Sequence, residues 1–236
     1  MAETKKIALF LVEGSTDSTS LGLVISRLLK NADVRFYVLN GDICYRYHIT
    51  EENAARSVMR AVNGFLQRYR LKKSDLLCIV HIIDTDGAFI PAERVICGGT
   101  ENAHYGDTFI ETLSVDSIRS RNEQKTIAAQ ALCKLSEVEK IPYAFYYFSR
   151  NIEHVLHGRA DSLSSRDKRI FSEKFEGLYA DRPEMFLELI RSSAVAVRGS
   201  YRKTWEYIFR SINSLKRGCN FALFFDWYEK QKGENL

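Results

Sequence analysis

The chain has 236 residues, 45% of them hydrophobic and 27% charged, a globular balance that excludes disordered, collagen-like and coiled-coil chains. The length suits one domain with an appendage. The formal charge of +4 falls short of the strongly basic balance of a protein that coats nucleic acid.

The first apolar run, Ile7 to Val12, stops at Glu13 and reads as a strand, too short for a signal-peptide core or a membrane span. After the Glu13-Gly14 turn, Leu21, Leu23, Val24, Leu28 and Leu29 recur at helical spacing. Val34 to Leu39 is a second strand, closed by the turn residues Asn40-Gly41-Asp42. From Thr50 a helix is expected, with Ala55, Val58, Met59, Val62, Leu66 and Tyr69 on one stripe. Leu76 to Ile83 is the longest near-continuous apolar run, as expected of a central parallel strand covered on both faces, and Asp84-Thr85-Asp86-Gly87 follows it.

Residues 88–121 show no sustained period and read as an irregular excursion. A helix is expected over 122–139, with Ile127, Ala128, Ala131, Leu132 and Leu135 on its buried side. Tyr143 to Phe148 makes a fourth strand, followed by Ser149-Arg150-Asn151 and a short helix from Ile152 to Leu156; the rest is mainly helical. Five dispersed cysteines with no Cys-x-x-Cys pair indicate neither a disulfide framework nor a thiolate metal site, so a cytoplasmic, reducing setting with no membrane partner is expected. The alternation of strands and helices predicts an α/β fold: a doubly wound, mainly parallel four-stranded sheet over residues 1–157, with a helical C-terminal extension over 158–236.

In such a sheet ligands bind outside the carboxyl ends of the strands, and three expected strands end in acids. Glu13 and Asp17 follow the first, Asp84 and Asp86 the third, and Glu153 the fourth. An acid after a strand can serve merely as a helix cap or turn residue, and Asp42 is read as turn chemistry. Converging carboxylates, however, repel one another unless a cation neutralises them, and hard oxygen donors without thiolates suit Mg²⁺ or Mn²⁺.

Val12-Glu13-Gly14-Ser15-Thr16-Asp17, followed one strand–helix unit later by Asp84-Thr85-Asp86-Gly87, resembles the motifs of the TOPRIM domain. The Ser149-Arg150-Asn151-Ile152-Glu153 segment is similar to the acidic segment of the OLD and RloB-like branch, nucleases of bacterial defence against phage. The resemblance covers about residues 5 to 157. It implies that Glu13 is a metal ligand or general acid/base, that Asp84 and Asp86 are metal ligands, and that Asp17 and Glu153 complete a second metal position. Catalytic roles would then fall to Glu13, Asp84, Asp86 and Glu153. Two cations would generate the attacking hydroxide and relieve charge on the leaving oxygen. The chain has no Gly-x-x-x-x-Gly-Lys-Ser/Thr loop, so an ATPase of the OLD kind would be a separate partner.

Near the C-terminus, Arg198, Arg202, Lys203, Arg210, Lys216 and Arg217 face the single acid Glu206, a local +5 that exceeds the charge of the whole chain. This concentration is read as a phosphate-binding surface for DNA or RNA. The interleaved Trp205, Ile208, Phe209 and Ile212 are read as a core-facing stripe. His81, inside an apolar strand, reads as a core histidine, while His154 and His157 flank Glu153 on one side of a short helix.

The leading expectation is thus a Mg²⁺- or Mn²⁺-dependent nuclease, and homo-oligomerisation is compatible with it. Two alternatives stay open: a nucleotide-sugar glycosyltransferase using Asp84-Thr85-Asp86, and a non-catalytic TOPRIM-like sensor or interaction module.

Overall fold

A computed structural model describes residues 5–30, 32–39, 44, 48–99, 102–159 and 165–234. The chain is an α/β fold. Strand β1 (Ile7–Val12) leads through helix α1 (Ser15–Leu28) to β2 (Asp33–Val38), and α2 (Ala54–Tyr69) leads to β3 (Leu76–Asp84). After a small insertion, helix α3 (Val115–Leu132) and β7 (Glu137–Val138) precede β8 (Ile141–Ser149) and α4 (Ile152–His157). The C-terminal part holds α5 (Ser165–Tyr179), α6 (Pro183–Arg191), α7 (Tyr201–Ile208), β9 (Gly218–Cys219) and α8 (Leu223–Glu234).

Strands β2, β1, β3 and β8 lie side by side in parallel. Among the described residues the sheet has six strands rather than the expected four. Two short antiparallel strands join β8, β7 beside its start (Val138↔Ile141) and β9 beside its end (Phe148↔Cys219). Two-residue strands carry no readable alternation, so neither is visible in the sequence.

Successive side chains of a strand point to opposite faces, and both faces of this sheet are covered. On one, Leu9, Leu11, Ile79, Ile83, Phe145 and Tyr147 pack with Val58, Val62 and Phe65 of α2, Leu132 of α3 and Trp205 of α7. On the other, Phe10, Val80, Ile82, Tyr146 and Phe148 meet Val24 of α1, Phe175 of α5, Phe186 of α6 and Phe224 of α8. Burial on both sides is why β1 and β3 read as unbroken apolar runs. The 158–236 segment therefore shares both hydrophobic cores with the sheet, with Trp205 stacked on Phe145 at 4.9 Å and 9°.

Residues 88–114, expected to be irregular, contain a second sheet of three short strands, β4 (Val95–Cys97), β5 (His104–Tyr105) and β6 (Ile110–Thr112), in the order β4-β6-β5. Its core is Ile90, Val95, Ile110 and Leu215, with Val115 and Ile118 packed against it. Those last two contacts start α3 at Val115 instead of 122. The helix ends at Leu132 because Val138 is taken into β7, where it is buried. Ile127, expected on the buried side of this helix, is 45% exposed. Among the described residues no helix is long and apolar enough to cross a membrane.

Candidate functional site

Because β1, β3 and β8 are parallel neighbours, the segments that follow them meet along one edge of the sheet. Glu13 follows β1, with only 13% of its side chain exposed, and Asp84 is the last residue of β3. Beyond Asp84 the chain stays tied to β8: the Thr85 N–H donates to Phe148 O (2.9 Å) and the Asp86 N–H to Arg150 O (2.8 Å). Asp86 and Gly87 then both take left-handed backbone conformations, at φ 47° and 64°. An aspartate tolerates this region better than most residues. At Gly87 a Cβ would also stand 2.5 Å from Leu215 Cδ2 and 3.3 Å from Ile110 Cδ1. The Asp-x-Asp-Gly turn is thus wedged between the main sheet and the small one.

Glu13 and Asp86 converge on a residue that sequence reasoning passed over. The ammonium of Lys125, carried by α3, lies 2.7 Å from Asp86 Oδ2 and 3.5 Å from Glu13 Oε1, and the Lys125 side chain is fully buried. A buried ammonium is stable only when paired, and these two carboxylates supply partners. Arg121, one helical turn earlier, donates from Nη2 to Asp86 O (3.0 Å) and from Nη1 to Tyr105 Oη of the small sheet (3.1 Å). One face of α3 therefore fixes both the backbone and the carboxylate of Asp86.

Asp84 is tied to the segment that follows β8. Its Oδ1 accepts the Ile152 N–H at 3.0 Å, in the first turn of α4. Asn151 caps the same helix, its Oδ1 accepting the His154 N–H at 2.7 Å. Glu153 is buried in this turn, at 3% exposure. His154 Nδ1 accepts the Arg150 N–H at 3.2 Å. Burial, with the nearby Arg150 and Arg217 cations, pushes the His154 imidazole down to about 4, so the ring is neutral at pH 7 and suited to that acceptor role. His157, also pushed down by burial, lies against the Phe171 ring at 4.7 Å. His81 is a core histidine, fully buried, with Nδ1 3.0 Å from Tyr143 Oη.

Arg150 is a second buried cation, at 3% exposure. It donates to Leu215 O (2.9 Å) and to Tyr105 O (2.5 Å), and its guanidinium lies 5.9 Å from the centre of the Tyr105 ring. Arg121 and Arg150 thus both grip Tyr105 and hold the small sheet at the strand ends. A cleft of about 650 Å³ opens beside this region between Ala88–Val95 and the outer face of α3, where Asp116, Arg119 and Glu123 line it.

Of the expected acids, Glu13 and Asp86 are brought together through Lys125, while Asp84 and the turn carrying Glu153 meet at Ile152. Asp17 lies in the first turn of α1, and its side chain is outside the described residues, as is Asp42. Oxygen-only donors suit Mg²⁺ or Mn²⁺ in kind. In arrangement they do not fit such an ion as they stand: among the described residues no three His, Cys, Asp or Glu side chains form a group that could hold a metal.

The basic segment divides by role. Arg198, Lys203, Arg210 and Lys216 are exposed, Lys216 donating to Asn213 Oδ1 at 3.0 Å. Arg202 is exposed and pairs with Glu206 at 2.8 Å. Arg217 donates twice to Val155 O, at 3.0 and 2.6 Å, tying β9 to α4. Trp205 and Ile208 are buried, as the stripe predicts, whereas Tyr207 is 38% exposed.

Lys125 had one faint signal. Asn122, Lys125, Ala129 and Leu132 share a helical face, so an apolar-only criterion for burial hides the polar upper half of that face. No family model matches the chain, and no curated protein or solved structure matches it either.

Proposed function

We propose that the chain is a nuclease of TOPRIM type that hydrolyses phosphodiester bonds of DNA or RNA with Mg²⁺ or Mn²⁺, in a bacterial phage-defence or mobile-element setting. The observation that carries this reading is the convergence of Glu13 and Asp86, from the ends of two adjacent parallel strands, on one cationic centre, with Asp84 on the same turn. The metal, once bound, would lower the pKa of a water and stabilise charge on the leaving oxygen. Glu13, Asp84 and Asp86, which form no metal group as they stand, would hold it only after a rearrangement that moves the Lys125 ammonium away. Exposed Arg198, Arg202, Lys203, Arg210 and Lys216 supply phosphate contacts that position the strand without reading its sequence.

The test is incubation of the protein with supercoiled plasmid and with structured RNA in Mg²⁺ or Mn²⁺, alone and with an ATPase encoded beside it. Cleavage by the wild type that falls at least 100-fold in both Glu13→Ala and Asp86→Ala is expected. Cleavage that survives both substitutions overturns the mechanism, and inactivity on every nucleic acid with hydrolysis of a nucleotide sugar turns the assignment to a glycosyltransferase.

A second reading has one observation in its favour. The Lys125 ammonium already offsets part of the Glu13 and Asp86 charge, which suits a non-catalytic interaction module. Such a module would show no cleavage under any metal and a folding stability unchanged by chelator.

A further inference from the structure

We infer that Lys125 is the resident cation of this acidic centre, and that a divalent metal binds only by competing with it for Glu13 and Asp86. The inference rests on the proposed metal-dependent reading and concerns how that site is regulated.

Carboxylates at the ends of neighbouring strands need a positive partner in order to fold side by side. In this chain the partner comes from α3. The Lys125 ammonium is fully buried, 2.7 Å from Asp86 Oδ2 and 3.5 Å from Glu13 Oε1. The Asp86 distance is that of a charge-assisted hydrogen bond, and the Glu13 distance that of a looser ion pair. Mg²⁺ requires oxygens at about 2.0–2.1 Å in near-octahedral array, and a dication on these oxygens would stand beside the buried ammonium, like charge against like charge. The surroundings favour the ammonium. Arg121 holds the Asp86 carbonyl from the same helix, Asp84 Oδ1 accepts the Ile152 N–H, and among the described residues no three acids form a metal group.

The centre is therefore partly neutralised at rest, and metal entry requires the Lys125 side chain to swing out of its pocket. A bound phosphodiester, with its own negative charge, offers the displaced ammonium a new partner. Metal and substrate are thereby expected to bind with positive coupling, each relieving a cost that the other incurs.

The test uses Mn²⁺ binding to the full chain, followed by electron paramagnetic resonance and by thermal shift, and does not use cleavage. Lys125→Met keeps the length of the side chain and removes its charge. Its Mn²⁺ affinity is expected to rise at least tenfold over wild type, with a larger Mn²⁺-induced rise in Tm. Equal or weaker affinity, or no binding in either protein, overturns the inference. If Lys125→Met fails to fold in chelator, recovery of its fold on adding Mn²⁺ is the expected result, and failure to recover counts against the inference.

The wild type gives an independent reading. Mass spectrometry of amine acylation should find Lys125 protected in chelator and labelled in saturating Mn²⁺, with Glu13→Gln suppressing the change. Protection that persists while Mn²⁺ is bound overturns the competition. Failure of the nuclease reading is a separate result, because it appears as absent cleavage by the wild type whatever the Mn²⁺ affinities are.

Discussion

Asp84 accepts a hydrogen bond from the backbone N–H of Ile152 at 3.0 Å, so the carboxylate that closes β3 is bound to the first turn of the helix after β8. The bond joins two strand ends into one surface and places buried Glu153 in the turn that Asp84 holds. A carboxylate at a helix N-terminus is favoured both by the open amides and by the helix dipole.

Asp84 therefore carries a structural and a proposed chemical role that substitution can separate. Asp84→Asn keeps an oxygen for the Ile152 N–H and should fold with nearly wild-type stability. Asp84→Ala loses the acceptor and should cost about 0.5–2 kcal/mol, the usual value of a lost N-terminal cap. Both should lower cleavage at least 100-fold. Urea denaturation run beside a plasmid assay checks the pair; equal stability of the two variants would remove the structural role.

Gly87 is fixed by backbone conformation and by space together. Its φ of 64° disfavours any side chain, and a Cβ would meet Leu215 Cδ2 at 2.5 Å. Gly87→Ala should destabilise the chain by about 1–3 kcal/mol, the range for left-handed strain with local overpacking. In a Leu215→Ala background the same Gly87→Ala change should cost less than it does in wild type, leaving only the conformational part. A urea midpoint for the single variant equal to wild type would show that the turn is not so constrained.

The strand skeleton was legible because both faces of the sheet are buried: Ile7–Val12 is apolar along its length, and Leu76–Ile83 is apolar apart from His81, whatever their partners. The Asp-x-Asp-Gly turn was legible for the same reason, as polar residues that interrupt such a run. What escaped depends on contacts between distant segments. Gly218–Cys219 is a strand only because Phe148 and Ser149 are beside it, and Val115–Arg121 is helical where Val115 and Ile118 find the small core. Lys125 escaped for a different reason: its burial is set by Glu13 and Asp86, both far from it in the sequence, and no local pattern encodes a buried ammonium.

Trp205 and the basic residues around it should respond to mutation in opposite ways. Trp205 is 3% exposed and stacked on Phe145, so Trp205→Ala should cost about 3–5 kcal/mol of stability. Arg198→Ala, Lys203→Ala and Arg210→Ala remove exposed charges and should leave Tm nearly unchanged. If they contact phosphates, each should reduce the slope of log K against log salt by about 0.7–0.9 in nucleic-acid binding. Arg217→Ala is the contrasting case, since its two bonds to Val155 O make it a structural cation; it should lower Tm. An unchanged salt slope in the triple variant would remove this surface from the proposal.

The cysteines provide a chemical map of the fold. Burial pushes the thiols of Cys78 and Cys219 up to about 12 and that of Cys133 up to about 11, and only the thiolate attacks an alkylating reagent. Cys97, on the small sheet, is exposed, whereas Cys44 is buried. Iodoacetamide at pH 8 should therefore modify Cys97 first and Cys133 slowly, leaving Cys44, Cys78 and Cys219 intact until the protein unfolds. Cys78 reports on the central sheet and Cys219 on the β8–β9 edge, so their relative rates in sub-denaturing urea show which part opens first. β9 is a two-residue edge strand, paired with β8 through Phe148↔Cys219 and Ser149↔Gly218 and bonded on its other side to Val195 O (2.8 Å) and the Val197 N–H (2.9 Å), so Cys219 should become reactive at lower urea than Cys78 in the central strand. Simultaneous exposure of both thiols would instead show that the C-terminal segment and the sheet unfold as one cooperative unit, as their shared cores allow.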